Sequence, residues 1–406
     1  MKTNVEELEN FKDLEKPEIS FNQEELVHEL SEAAKTLIEK TSWIKNIKIE
    51  NKVKERERFK EKRKNKEKFK PGFEYREFQY SEEKLLNVLD QCIEASKEIK
   101  QEHMEKFGAK EITAEEIQEF FTEIFEELKL YTKLSANIEN EKAWKKYSEK
   151  IWPLPEEKTV ENSLEKLKDL EAEELEKNVT PKELAEIFEE ELERLRVQYN
   201  VEIRDVAGCY NIPEEKTVVV ARGSEEKRMY SRPEAQMLTM HELFHAMRAF
   251  NGFEAGRKSG FPDILGIHTP FYDQTEEGGS IFREHATETA FEDKEFDYHL
   301  RLIAAVKIAE SNDFKNDFQN IVEDLIELGG TVDRSFYLVA RNREALRHHI
   351  YQTGFFEEWK DREEKWPLLI GKVNSQWAEK LKKEIEAKGM LEKPKISAED
   401  LFEFSY

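Results

Sequence analysis

Apolar residues recur at three- and four-residue spacing through most of the first 200 residues, a pattern typical of amphipathic helices. The clearest segments are EELVHELSEAAKTLIEK (24–40), EEKLLNVLDQCIEASKEI (82–99) and AEEIQEFFTEIFEELKLY (114–131). We therefore predict that the N-terminal half of the chain is helical.

The pattern changes near residue 196. VQYNVEIRDVAG (197–208) and KTVVVARG (216–223) contain short β-branched runs bounded by Gly, Asn and Pro, which predicts a small β-sheet. Helical spacing then returns at 233–250, 276–291, 294–310, 314–328 and 335–350. The predicted fold class is therefore mainly α, within the α+β class. The expected units are a charged extension (1–64), a helical region (65–195), a catalytic domain (196–375) and a helical tail (376–406).

Composition narrows the range of functions. The net charge of −24 makes binding to nucleic acid unlikely, because such binding needs a basic surface. Two cysteines, Cys92 and Cys209, cannot form a disulfide framework, so we expect a reducing, cytoplasmic compartment. The acidic N-terminal stretch does not resemble a signal peptide, and no run approaches the ~18 apolar residues of a membrane span. We therefore expect no membrane partner.

One segment departs from the acidic character of the chain. Residues 52–70 (KVKERERFKEKRKNKEKFK) contain eleven basic and four acidic side chains. Such a run either binds an acidic partner or nucleic acid, or forms a solvated helix that balances an acidic protein. Both interpretations stay open, and the solvated helix is the more common case.

A candidate helix in the second half carries metal-binding chemistry. In SRPEAQMLTMHELFHAMRAFNG (231–252), Ser231 predicts the start of a helix and Gly252 its end. His241 and His245 are four residues apart, so both rings project from one helix face and can reach one zinc ion. Glu242 follows the first histidine and can act as general base on a water that the metal makes acidic. The alternative is a charged surface helix with incidental histidines.

A catalytic zinc ion needs a third protein ligand. The segment DQTEEGGSIFREHATETAFED (273–293) offers Glu277 as the preferred candidate, with Glu276, Glu284 and His285 as alternatives. We expect Thr275 to cap the helix there, and its glycines to allow close packing against the histidine helix. Glu284 lies two turns beyond Glu277, where it either orients a ligand histidine or is an exposed carboxylate.

These motifs resemble a known family. HELFHAMRAFNG (241–252) and TEEGGS (275–280), with weaker support from 65–86, 121–155 and SFYLVARNR (335–343), are similar to the domain family with a Q/T-E-G-L-A signature. That family includes the carboxypeptidases that remove the C-terminal tyrosine of α-tubulin. The resemblance implies a zincin-like metallopeptidase domain, one zinc ion, a peptide or protein substrate and Glu277 as the third ligand.

Two features depart from the family pattern. Only two residues separate Glu242 from His245, where the family has three, and E-G-G-S replaces E-G-L-A. The spacing here is that of an ordinary HExxH zinc helix, so we expect metal binding to be retained. Because of these departures, the resemblance supports the chemistry of the family more strongly than its substrate specificity.

Substrate contacts are harder to assign. An oxyanion donor is needed, for which Tyr272, Tyr337 and Tyr351 are candidates. The resemblance favours Arg341 as the cation that binds a terminal carboxylate, although most arginines are surface ion-pair partners. Arg343 and Arg347 are the other candidates for that contact.

We predict no direct role in catalysis for three neighbouring polar residues. We expect Arg248 to be structural, and His348 and His349 to be surface histidines rather than cleft residues. The leading hypothesis is a zinc metallopeptidase, and specifically a carboxypeptidase. A non-catalytic, metal-stabilised interaction module and a different metal-dependent hydrolase are the alternatives.

Overall fold

The computed structural model describes residues 2–4, 18–41, 47–170, 175–223 and 228–402. The protein is 62% helix and 5% strand, which confirms the predicted class. The α-helices are α1 Leu26–Thr41, α2 Lys52–Lys64, α3 Glu82–Ser96, α4 Gln101–Phe107, α5 Ala114–Ala136, α6 Glu141–Ile151, α7 Glu157–Asp169, α8 Pro181–Arg194, α9 Arg232–Ala255, α10 Ile264–Ile267, α11 Asp273–Ala286, α12 Glu292–Glu310, α13 Phe314–Glu327, α14 Val332–Glu344, α15 Ile350–Gly354, α16 Ser375–Glu386 and α17 Ala398–Phe402. A π-helix, Phe355–Lys360, continues α15, and a 3₁₀ turn spans Trp366–Leu369.

The strands form two small sheets. β1 (Lys2–Asn4) pairs in parallel with β2 (Glu18–Ser20). The second sheet has the order β3-β5-β4, with β5 (Thr217–Ala221) parallel to β3 (Asn200–Arg204) and antiparallel to β4 (Tyr210–Ile212). Every residue of β5 is buried, which explains its continuous TVVVA run. The sheet packs against α9, so it lies beside the two histidines as expected.

The helix α9, called here the histidine helix, begins where the sequence predicts. The Ser231 hydroxyl accepts a hydrogen bond from the Glu234 amide at 3.2 Å. The predicted end at Gly252 is wrong, because the helix continues to Ala255. Gly252 instead allows a close approach of the Leu265 carbonyl, which an added Cβ would strike. Just before it, the Asn251 carboxamide donates to the carbonyl of Ile396 and accepts from its amide, at 3.1 and 3.0 Å.

The helix α11, called here the glutamate helix, differs from the prediction at both ends. It begins at Asp273, and Thr275 does not cap it, because the Thr275 hydroxyl donates to the Glu358 carboxylate. It ends at Ala286 rather than near residue 291, and Glu288 then adopts a left-handed conformation (φ 56°). Gly279 has the expected role, because an added Cβ would strike the Phe244 ring of the histidine helix. Gly278 instead lies directly on the backbone of Gly354, where α15 passes into the π-helix.

The C-terminal helix α16 is joined to the N-terminal half through one buried carboxylate. Glu384 accepts backbone hydrogen bonds from Lys110, Glu111, Ile112 and Met390, at distances of 2.6 to 3.1 Å. A single hydrophobic cluster runs from Leu26 to Leu401, and the four predicted domain boundaries stay a prediction. Within the described residues, no helix is both long and apolar enough to cross a membrane.

The basic segment 52–70 forms α2 and the turn after it. Much of its charge is balanced within the protein: Lys52 pairs with Glu344 at 2.7 Å, and Arg63 pairs with Glu323 at 2.8 Å. Phe59 is fully buried and anchors the helix to the core. An acidic partner for this segment remains a prediction.

Candidate metal centre

Three side chains from two helices meet at one point. His241 and His245 extend from the histidine helix and Glu277 from the glutamate helix, and their possible ligand atoms all lie within 4.8 Å of one another. Oε2 of Glu277 is 3.6 Å from Nε2 of His241 and 3.8 Å from Nε2 of His245. That oxygen is buried and has no hydrogen-bond partner. Two imidazoles and one carboxylate so arranged fit the donor set of a catalytic zinc ion.

The opposite ring nitrogens are held by carboxylates. Nδ1 of His241 lies 2.6 Å from Glu284, which also accepts a hydrogen bond from the Tyr298 hydroxyl at 3.0 Å. Nδ1 of His245 lies 3.0 Å from Glu276. These contacts fix both rings with Nε2 towards Glu277. Glu284 thus has the orienting contact that the sequence suggested, whereas Glu276, an alternative ligand, orients a histidine.

Two cations hold Glu276 in its buried position. Arg248 donates to one oxygen at 2.5 Å and Lys372 to the other at 3.0 Å. Burial opposes the charge of Glu276, but the two cations outweigh it and lower its pKa. Arg248 also donates to the carbonyls of Leu368 and Val373, so its contacts are internal, as predicted.

The two oxygens of Glu277 have different surroundings. Oε1 accepts a hydrogen bond from Arg347 at 3.0 Å, which leaves Oε2 facing the imidazoles. Burial alone would raise the pKa of Glu277, but His241, His245 and Arg347 lower it to about 2. Arg347 was a candidate for the substrate carboxylate and instead contacts this side chain. His285, another alternative ligand, stacks on Phe355.

Glu242 is half-buried beside this centre. Burial raises its pKa, and the fields of His241 and His245 act in the opposite direction. A carboxyl group with a raised pKa can both accept and return a proton near neutral pH, as a general base must.

Comparison with known proteins bears on this centre. A family model described as microtubule-associated tyrosine carboxypeptidase matches residues 57–401. The chain belongs to this family. No curated protein and no solved structure matches the chain. The matched residues of the microtubule-associated tyrosine carboxypeptidase family include the whole centre described above.

Among the candidate tyrosines of this family member, Tyr351 contacts a candidate ligand, whereas Tyr272 lies beside Lys372, whose ammonium is 5.1 Å from its ring. The Tyr351 ring stacks on His241, with centroids 6.2 Å apart, and on Tyr298 at 5.4 Å. Tyr272 packs against His268, and Tyr337 lies under Arg56. The backbone contact between the glutamate helix and α15 brings Tyr351 to this place.

Sequence reasoning missed the contribution of α12 to the centre. Lys294, Tyr298 and Arg301 lie at i, i+4 and i+7, so they share one helix face. The Lys294 ammonium lies 5.0 Å from the Tyr298 ring, and the Arg301 guanidinium lies 5.1 Å from the Tyr351 ring. This spacing was visible in the sequence and could have indicated one functional face.

Of the remaining predicted residues, Arg341 is exposed, whereas Arg343, His348 and His349 are buried or half-buried. Arg341 is exposed at the surface, yet the surrounding protein and the charge of Arg301 lower its pKa. Arg343 is buried and donates to the carbonyl of Ile138, so it is unsuited to bind substrate. The surface interpretation of His349 is wrong, because it is buried and bonded to the Pro153 carbonyl at 2.8 Å. His348 is half-buried, and burial together with the neighbouring arginines lowers its pKa.

Proposed function

We propose that this chain is a zinc-dependent carboxypeptidase, with His241, His245 and Glu277 as metal ligands and Glu242 as general base. The observation that carries the proposal is the buried Oε2 atom of Glu277, which faces both imidazoles without a hydrogen-bond partner. Family membership supports the reaction class. The substrate we propose is the C-terminal end of a peptide or protein, and the family description suggests tyrosine as the residue removed.

We assign each step of peptide hydrolysis to a group at the proposed site. Zinc, when bound, would polarise the scissile carbonyl and make the attacking water more acidic. Glu242 would accept the proton of that water and return it to the leaving amine. The Tyr351 hydroxyl is our proposed donor to the oxyanion, because its ring lies against His241.

Arg341 is the proposed contact for the terminal carboxylate. It forms no ion pair with any residue that the structure describes, and it lies within electrostatic reach of Tyr351. An exposed guanidinium in a cleft can bind a carboxylate through two parallel hydrogen bonds. A peptide with an amidated C-terminus should therefore be a poor substrate.

The test is Glu242→Gln, assayed by mass spectrometry on peptide libraries with free and amidated C-termini. We expect unchanged zinc content and a loss of turnover of at least about 100-fold, because the variant cannot accept a proton. Glu310→Gln, at an exposed position on α12, is the matched control and should retain full activity. Equal turnover in both variants would refute the assignment of Glu242. Zinc binding without turnover of any peptide would favour the metal-stabilised interaction module.

A further inference from the structure

A cavity of about 420 Å³ lies along the first half of the histidine helix. Leu238, on its wall, precedes His241 by three residues, so it lies about 4.5 Å from that histidine along the helix axis and on the same side. Phe291 and Lys294 approach the cavity from the start of α12. The cavity therefore lies on the side of the histidine helix from which His241 extends.

Most charges around this cavity are already balanced. Arg228 pairs with Glu234 at 3.1 Å, and Arg334 pairs with Asp293 at 2.9 Å. Lys294 differs from them: among the residues that the structure describes, no carboxylate lies within ion-pairing distance of its ammonium group. Besides the exposed Lys177, the cavity thus presents one half-buried cation without a direct ion pair.

The place of Lys294 links the cavity to the catalytic groups. Its ammonium lies 5.0 Å from the ring of Tyr298, whose hydroxyl bonds to Glu284 beside His241. Its charge also acts on Glu242. Burial and the charge of Arg301 lower the pKa of Lys294, and Asp297, Glu284 and Glu234 act in the opposite direction without offsetting them. An incoming carboxylate would therefore stabilise the ammonium further.

We propose that this cavity is a subsite for a carboxylate of the peptide ligand, held by Lys294 against an apolar wall that includes Leu238 and Phe291. The proposal rests on the proposed function, because it assumes a peptide at the metal centre. The carboxylate is that of an acidic side chain, because Arg341 is the proposed contact for the peptide terminus. Lys294 is thus a specificity-determining residue, distinct from Arg341.

Binding, rather than turnover, gives the sharpest test. Acetylated hexapeptides ending in tyrosine would carry one glutamate at successive positions, each with a glutamine counterpart, and each with a free or an amidated terminus. Their Kd values would be measured by fluorescence anisotropy on zinc-loaded Glu242→Gln protein, in which hydrolysis cannot interfere. The Kd ratio within each pair reports the preference for a carboxylate.

We expect a preference of about tenfold for one carboxylate, because a charge-assisted contact has roughly that effect. Lys294→Met should reduce this ratio to within about twofold, and Lys294→Arg should restore most of it. Loss of the glutamate preference would support the proposal, whereas loss of the terminal preference would place the peptide terminus at Lys294 and overturn it. Lys315→Met, at an exposed position on α13, should change neither ratio.

Unchanged ratios in a folded Lys294→Met protein would overturn the proposal. Zinc content and thermal melting would show that the variant is folded. Failure of the proposed function has a different signature: the parent protein would then cleave no peptide, whereas the Lys294-dependent Kd ratio would still be measurable.

Discussion

Replacing Gly278 with alanine would place a methyl group where the glutamate helix touches the backbone of α15. The added Cβ would lie 2.2 Å from the carbonyl carbon of Gly354. Carbon atoms in contact are about 3.5 Å apart, so the two helices must separate by at least ~1 Å. Glu277 is the neighbouring residue on one helix and Tyr351 is on the other, so both would move relative to the histidines.

The expected effects follow from that displacement. Overpacking of this kind costs about 1–3 kcal/mol of the free energy of unfolding. Metal coordination tolerates only ~0.2 Å, so zinc affinity should fall as well. A misplacement of about 1 Å can lower kcat/KM by roughly 100-fold. Activity should therefore fall much more than stability.

Three measurements would check this prediction: urea unfolding, zinc competition with a chromophoric chelator, and kcat/KM on a tyrosine-terminated peptide. Gly208→Ala is the matched control, because its added Cβ would meet nothing within 4 Å. A Gly278→Ala protein with unchanged zinc affinity and activity would show that the contact between these helices does not position the centre.

Three further predictions concern the carboxylates and the metal. Glu284→Gln should weaken zinc binding by about 10- to 100-fold, measured by the same chelator competition, because His241 loses its charged partner. Glu384→Gln should lower the free energy of unfolding by about 2–4 kcal/mol at pH 7, because backbone amides lose a charged acceptor. Those amides hold the pKa of Glu384 below its ordinary value of 4.5. The difference in free energy of unfolding between the variant and the parent protein should therefore be complete above pH 4.5 and shrink as the pH falls below it. Unfolding measured at pH 3 and pH 7 checks this. Removing zinc with a chelator should lower Tm, since saturation at 1,000 times Kd contributes about 4 kcal/mol; an unchanged Tm would argue against a bound metal.

Local patterns predicted the parts of the centre that depend on one helix. The four-residue spacing of His241 and His245 determines that both rings share a face, whatever the rest of the fold does. The same reasoning failed at Gly252, because glycine both ends helices and permits close packing, and only the tertiary structure shows that Leu265 needs the space. The prediction that Thr275 caps the glutamate helix failed for a related reason, because its hydroxyl donates to Glu358, which is distant in sequence.

The supporting residues could not be predicted in this way. Lys372 and Arg347 reach Glu276 and Glu277 from segments 96 and 70 residues further along the chain. No local periodicity specifies such contacts, because they depend on how helices pack. Tyr298 could have been predicted from the sequence, because it shares a helix face with Lys294 and Arg301.

The pairing of Asn251 with Ile396 has a consequence for the order of folding. The two residues are 145 positions apart, and ribosomal synthesis proceeds from the N-terminus. The histidine helix is therefore made long before the segment that covers its far end. Contacts of such long range form slowly. We expect the proposed metal site to reach its final geometry only after the last helices have docked.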